Sequence, residues 1–418
     1  MKALDAELAV KGGAKAVEDS LSRVHWPIVT DEDRAAVNRV MDRQILWAQT
    51  RPEGLYAPEQ QALEQEFAQF LGIKHVLATN GGTAGLHMAL VAAGVEPDDE
   101  VITSAFSFLA TPAAILHAGA KPVFVDIDPR TFNMDPKQIE AKITPRTKAL
   151  MVVDIHGLCA DFDPILAITR KHKLALTEDA CQAPGATYKG KQAGTFGVAS
   201  GFSVNGTKNF AVGEGGFMVT DDDDCYFKGN WLKQVGEGLP ETDRTMEFQH
   251  LLAWNYRVQE LPCAFGRSQL ARLGEVNATG QRNAKILDGY LNDLPGVKAP
   301  YVPQECVSVY HKYRVTLVPE ELKTKLRGAA LRDAFMAALR AEGVDVDTWG
   351  AAPLSEHPMI KARYPEDRAE NYPTTVAMFA NSFCVTNDEY PIYAQPEALM
   401  HAYGEAIRKV AQGAARLG

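Results

Sequence analysis

The most chemically suggestive segment is a lysine set among glycines and small polar residues: Phe202-Ser203-Val204-Asn205-Gly206-Thr207-Lys208-Asn209, followed by Gly213-Glu214-Gly215-Gly216. It lies between two apolar stretches, which draw the Lys208 amine toward the interior. Partial burial lowers an amine's pKa and makes it nucleophilic near neutral pH. Glycines let a flat ligand approach the backbone, and Ser203 and Asn205 offer short polar contacts. A surface-loop lysine with its stem laid along the protein is the plain alternative. This segment alone does not choose between them.

Three further segments carry chemistry. Glu178-Asp179-Ala180-Cys181-Gln182 follows an apolar strand. A carboxylate there could orient a base, ligate a metal or keep a cofactor's ring nitrogen protonated; taken alone, the segment reads first as a structural turn. Nothing nearby completes a metal set. Thr79-Asn80-Gly81-Gly82-Thr83-Ala84 joins a strand to a helix, where backbone amides and the helix N-terminus suit an anion. It is neither a P-loop nor a complete G-x-G-x-x-G, and a plain turn remains open. Trp254-Asn255-Tyr256-Arg257 sets an aromatic, an amide and a guanidinium together, as anion recognition requires, although a helix cap beside a surface arginine reads as well.

These segments need a scaffold that brings strand ends together. Apolar runs at 75–79, 101–103, 122–126, 149–154, 174–178, 199–204 and 216–220 read as strands, with helices over 84–93, 110–117 and 164–172. Their alternation predicts a mostly parallel sheet flanked by helices, with ligands gathered at the strand C-termini. Upstream, helices are expected over 31–49, with Asp31 as cap, and from Pro58 to a stop at Gly72. The last third, with helices near 281–294 and 331–342 and strands near 313–318 and 383–386, reads as a smaller α+β domain. The expected division is a loosely attached arm over 1–30, a large domain over 31–280 and a small domain over 281–418.

Composition narrows the class. A chain of 418 residues exceeds one ordinary core, and its net charge of −10 disfavours nucleic acid. The acidic run Asp221 to Asp224 reads as a solvated turn. Six scattered cysteines without a C-x-x-C pair suggest neither zinc nor a disulfide framework. No apolar run reaches the ~20 residues of a membrane helix, so a soluble, cytoplasmic protein is expected.

Taken in order, the four segments resemble the DegT-like sugar and cyclitol aminotransferases, pyridoxal-phosphate (PLP) enzymes of fold type I. The resemblance runs from about Asp31 to Leu273 and rests most heavily on EDACQAPGATYKGKQAGTFG and FSVNGTKNFAVGEGGFMVT. It implies an α/β large domain with a seven-stranded type of sheet and a small C-terminal α+β domain. Lys208 takes the position of the Schiff-base lysine, and Asp179 that of the carboxylate paired with the pyridinium nitrogen. Gln182 matches the residue near the phenolic oxygen, Gly82, Thr83 and Ser203 match phosphate contacts, and Phe108 matches the aromatic stacked on the ring. Asn255 matches an asparagine that reaches the phosphate from a neighbouring subunit, implying a homodimer with shared sites. His311 and Tyr313, like Arg257, are candidate substrate residues, and Lys312 and Arg314 are further cations for a nucleotide's phosphates.

The family's usual histidine and aromatic are replaced by Asp154 and His156, and Thr386-Asn387-Asp388-Glu389-Tyr390 replaces an apolar-proline stretch. The reaction implied moves an amino group from L-glutamate or L-glutamine to a keto group of a sugar, free or nucleotide-linked, or of a cyclitol. The pathway implied is natural-product or cell-surface sugar synthesis. Two alternatives stand beside it: an aminohydroxybenzoate-type synthase and a PLP-binding regulatory protein without turnover.

Overall fold

Strands buried on both faces need no polar alternation, and the central sheet is built from such strands. The computed structural model describes residues 7–51, 54–236 and 251–417. Seven strands form the large sheet: β1 (His75–Thr79), β2 (Glu100–Ser104), β3 (Lys121–Val125), β4 (Thr147–Val153), β5 (Ala175–Asp179), β6 (Ala199–Ser203) and β7 (Gly216–Thr220). Their order is β1-β7-β6-β5-β4-β2-β3. The pairs from β3 to β6 are parallel, and β7 runs antiparallel between β6 and β1. Each residue of β2, β6 and β7 is buried.

Helices α1 (Asp31–Arg43), α2 (Pro58–Leu71), α3 (Gly82–Ala92), α4 (Ala110–His117), α5 (Phe162–His172) and α6 (Asp223–Lys233) surround this sheet. Helix α3 lies very close to it: a Cβ on Gly85 would sit 2.3 Å from the Phe217 carbonyl oxygen. Only glycine permits that approach, which brings the N-terminus of α3 to the strand ends. The acidic run does more than solvate a turn, because the Asp222 side chain accepts from the Cys225 N–H and caps α6.

A second sheet, antiparallel and four-stranded, follows the order β8 (Val297–Lys298), β9 (Tyr313–Leu317), β11 (Ser382–Val385), β10 (Val346–Asp347). The helix α7 (Glu260–Leu291) has 32 residues, packs on α1 and α2, and also packs on α8 (Glu397–Gln412). At 1.5 Å per residue it is about 48 Å long and joins both bodies. The break expected at 280 therefore falls inside one continuous helix, and the helix expected from 281 is its C-terminal part.

Two further expectations are corrected. Helix α1 stops at Arg43, not near 49, because Gln44 turns left-handed (φ 56°) and its N–H returns to Val40 and Met41. Its cap is Thr30, in a reciprocal box with Asp33. The arm is also not loosely attached: Leu8, Val17 and Trp26 are buried in the small domain's core with Phe335 and Leu339. Glu342 secures it, accepting from the Ala9 N–H at 2.8 Å, the Ala16 N–H at 2.9 Å and the Lys409 Nζ at 2.8 Å. Glu342→Ala leaves a buried ammonium without its carboxylate. It is expected to cost about 3 kcal/mol, read as a lower urea midpoint at an unchanged slope. An unshifted midpoint would show that this anchor contributes nothing.

Candidate active site

A cavity of about 320 Å³ opens at the C-terminal ends of β5 and β6 and the N-terminus of α3. Asp179, Gln182, Ser203, Asn205, Thr207 and Lys208 line it, with Gly81, Gly82, Thr83 and Phe108. Chain segments far apart in sequence thus converge where a parallel sheet collects ligands.

Strand alternation separates the two acids of β5. Glu178 turns away from the cavity and accepts from the Gly194, Phe196 and Gly197 N–H groups and the Ser200 hydroxyl. Asp179 turns inward, accepting from Thr111 Oγ1 at 2.6 Å and from the Cys181 N–H at 3.2 Å. Thr111 itself is 2.6 Å from Ser107 Oγ, so α4 fixes the carboxylate's orientation.

Lys208 is buried, and burial lowers the pKa of its amine while Cys181 and Asp179 oppose the shift. Its backbone is clamped. The Lys208 carbonyl accepts from Trp26 Nε1 at 2.9 Å, and the Thr207 carbonyl accepts from the Tyr393 hydroxyl at 2.7 Å. The rings of Trp26 and Tyr393 meet edge-on at 5.1 Å. Asn205 uses its amide within the loop, accepting from Thr207 N–H and donating to Glu214 at 2.9 Å.

Helix α3 begins without a side-chain cap. The first N–H groups of a helix have no partner within it and are available to an anion. A Cβ on Gly82 would lie 2.7 Å from Ser203 Cβ and 3.1 Å from Cys181 Sγ, so glycine alone lets this turn lie against β6. Gln182 Oε1 accepts from the His156 N–H at 2.8 Å. His311 is buried and its Nδ1 has no hydrogen-bond partner among the described residues. Burial, and then the charge of Lys208, hold its pKa well below the ordinary range, so the imidazole is neutral. Lys312 pairs with Asp388, which also lines the cavity.

Of the expected residues, Asn255, Arg257, Lys312, Tyr313 and Arg314 do not line this cavity. Tyr313 is buried inside the small domain, where its hydroxyl donates to Asp288 at 2.6 Å. It is a packing residue because β9 directs it to α7. Asn255 and Arg257 lie outside the cavity of their own chain; Asn255 Oδ1 accepts from the Arg257 Nε at 3.3 Å. Arg314 is enclosed rather than presented to a substrate. Sequence reasoning missed Thr111, Glu214, Trp349 and Asp388. Thr111 was readable as the first polar residue of a helix just past a strand end. Asp388 lies in the departing segment after the strand Ser382–Val385, whereas Trp349 carried no such mark.

Pyridoxal phosphate fits this donor set. Free helix N–H groups and Ser203 suit a phosphate, Asp179 suits a pyridinium, a buried amine suits a carbonyl, and His311 leaves an orphaned polar atom toward the site. Phe108 stands at the rim, 60% exposed, with an apolar face to offer a ring.

The model of the DegT/DnrJ/EryC1/StrS aminotransferase family matches residues 29–387. GDP-perosamine synthase of Caulobacter vibrioides is 40% identical over 283 residues, covering 68% of this chain and 73% of that one. L-glutamine:2-deoxy-scyllo-inosose aminotransferase of Streptomyces lividus is 33% identical, covering 79% of each. The crystal structure of DesI in the presence of its TDP-sugar product superposes with a TM-score of 0.80 or better, at 0.82, with 28% identity over 98% of this chain and 97% of that one. The chain therefore belongs to the DegT/DnrJ/EryC1/StrS aminotransferase family, and its cofactor is pyridoxal phosphate.

Proposed function

We propose that this enzyme moves an amino group from L-glutamate or L-glutamine to a keto group on a hydroxylated ring, a nucleotide-linked sugar or a cyclitol. The observation that carries the reading is the buried Lys208 amine in one cavity with the Asp179 carboxylate. Bound pyridoxal phosphate supplies an electron sink for the carbon that loses its proton.

The chain's residues do the rest. Lys208 would hold the cofactor's carbonyl carbon, and its Nζ, when free, would act as the base and acid that moves the proton of the donor Cα. Burial lowers the pKa of that amine, the direction a base requires. Asp179, oriented by Thr111, keeps the ring nitrogen protonated. Gly82, Thr83 and Ser203 would hold the phosphate, Phe108 would cover the ring, and Gln182, its side chain set by the His156 N–H, would serve the phenolic oxygen. Neutral His311 offers a hydrogen bond to cofactor or substrate.

A homodimer belongs to the same reading. Asn255 is exposed and lies outside its own cavity, which suits a contact made to the partner's phosphate, with Arg257 carried alongside. No described helix is long and apolar enough to cross a membrane; a cytoplasmic enzyme is our reading.

The test loads the protein with the aminated cofactor and adds a GDP-linked keto-hexose or 2-deoxy-scyllo-inosose, following the cofactor's visible absorption. Return of the aldehyde-form band with one of them is expected. No return with either sinks this acceptor class. Product formed without any donor would favour the aromatising synthase, and an absorption indifferent to glutamate and glutamine would favour a protein without turnover.

A further inference from the structure

Arg314 lies fully inside the protein, yet its hydrogen-bond acceptors are neutral. Nε donates to His156 Nε2 at 2.9 Å and Nη1 to Ser382 Oγ at 3.0 Å. Nη2 donates to the Thr348 carbonyl at 2.7 Å and the Trp349 carbonyl at 2.8 Å. The guanidinium stands 5.3 Å over the Phe106 ring. An enclosed cation with neutral partners is costly, so its placement calls for a return.

That return is local to Trp349. This residue has φ 39°, a conformation bulky side chains rarely adopt, and Gly350 follows at φ 93°. Both carbonyls gripped by Arg314 flank the strained peptide. The indole is wedged edge-on against His156 at 5.0 Å and Phe106 at 5.6 Å, and it lines the cavity that holds Lys208 and Asp179. His156, at φ 58°, must offer an unprotonated Nε2 to Arg314, and burial keeps its pKa well below the ordinary range. Strain held this firmly beside a reaction centre points to function.

Among the described residues, the aromatic side chains lining the cavity besides His311 are Phe108 and Trp349. Phe108 is assigned above to the cofactor ring, which leaves the indole for the second substrate. We propose that Trp349 sets acceptor specificity by laying its indole against the C–H face of the acceptor ring. Arg314 and His156 are positioning residues that hold it there. This rests on the sugar or cyclitol reading above, because hydroxylated rings present such an apolar face.

The test uses the holoenzyme and whichever of the GDP-linked keto-hexose and 2-deoxy-scyllo-inosose the wild-type protein aminates faster. Trp349→Ala is expected to raise the acceptor KM about tenfold, the scale of one aromatic contact. The donor half-reaction, followed by absorption with glutamate, slows far less. Trp349→Phe recovers most of the loss. Arg314→Met reproduces the effect of Trp349→Ala, and the double variant adds little to either, since both act on one contact. Should Arg314→Met fail to fold, Arg314→Lys replaces it in the same cycle.

An unchanged acceptor KM in Trp349→Ala overturns the specificity assignment. Additive losses in the double variant overturn the positioning role. A wild-type protein that reacts with glutamate but aminates neither probe fails the acceptor reading instead, and the inference falls with it.

Discussion

Replacing Lys208 with alanine is expected to reduce turnover by about 10⁴-fold, the upper range for a lost general base and acid. The amine has two duties, holding the cofactor's carbonyl and moving the proton at the donor Cα, and no other lysine among the described residues lines the cavity to inherit them. Lys312, the nearest alternative in sequence to the site's His311, is committed to Asp388. The rest of the pocket survives the change: Trp26 and Tyr393 grip the carbonyls at 208 and 207, and those contacts do not use the lysine side chain. The variant is therefore expected to fold and to bind cofactor noncovalently. Steady-state rates with glutamate as donor check this. Wild-type turnover in Lys208→Ala would remove the residue from the mechanism.

The second large effect is expected at Asp179. An asparagine there fits the same space but cannot hold a ring nitrogen protonated. Turnover should fall by about 10³-fold, the size expected when charge stabilisation is removed from a reaction centre. The loss should lie in the rate of the half-reaction rather than in cofactor retention, because Gly82, Thr83 and Ser203 are untouched. Thr111→Val, which removes the 2.6 Å bond to Asp179 Oδ2 but leaves the carboxylate, is expected to show a smaller loss. Single-turnover absorption traces separate these outcomes. Full activity in Asp179→Asn would assign the ring nitrogen another partner.

Much of this site could be read from residues because its parts sit at strand ends marked by glycine. The limits of β1 and β7, His75–Thr79 and Gly216–Thr220, were readable without coordinates, since Asn80-Gly81-Gly82 follows one and Gly215 precedes the other. Helix α4 was equally clear, from Ala110 to His117. The end of α1 was not, because Gln44 turns left-handed without a glycine or proline to announce it. The arm concealed its buried side chains for a different reason. Leu8, Val17 and Trp26 are spaced irregularly among charged and small residues, and their partners, such as Phe335 and Ile407, lie hundreds of positions away. No local period records such contacts.

His311 precedes β9 and faces the cavity, whereas Tyr313 opens the strand and packs toward Asp288. A motif containing both could not tell which one turned inward. Asp388 and Trp349 come from loops of the small domain, and tertiary packing alone brings them to the strand ends. Arg314 looked like a cation for phosphate, yet its surroundings make it a brace for the Trp349 peptide.

The most direct measurement is to reduce the purified holoenzyme with borohydride, digest it and locate the cofactor by mass spectrometry. A pyridoxyl adduct is expected on the peptide bearing Lys208, and on no other lysine. An adduct on Lys312 or elsewhere, or a cofactor that reduction leaves unattached, would contradict it.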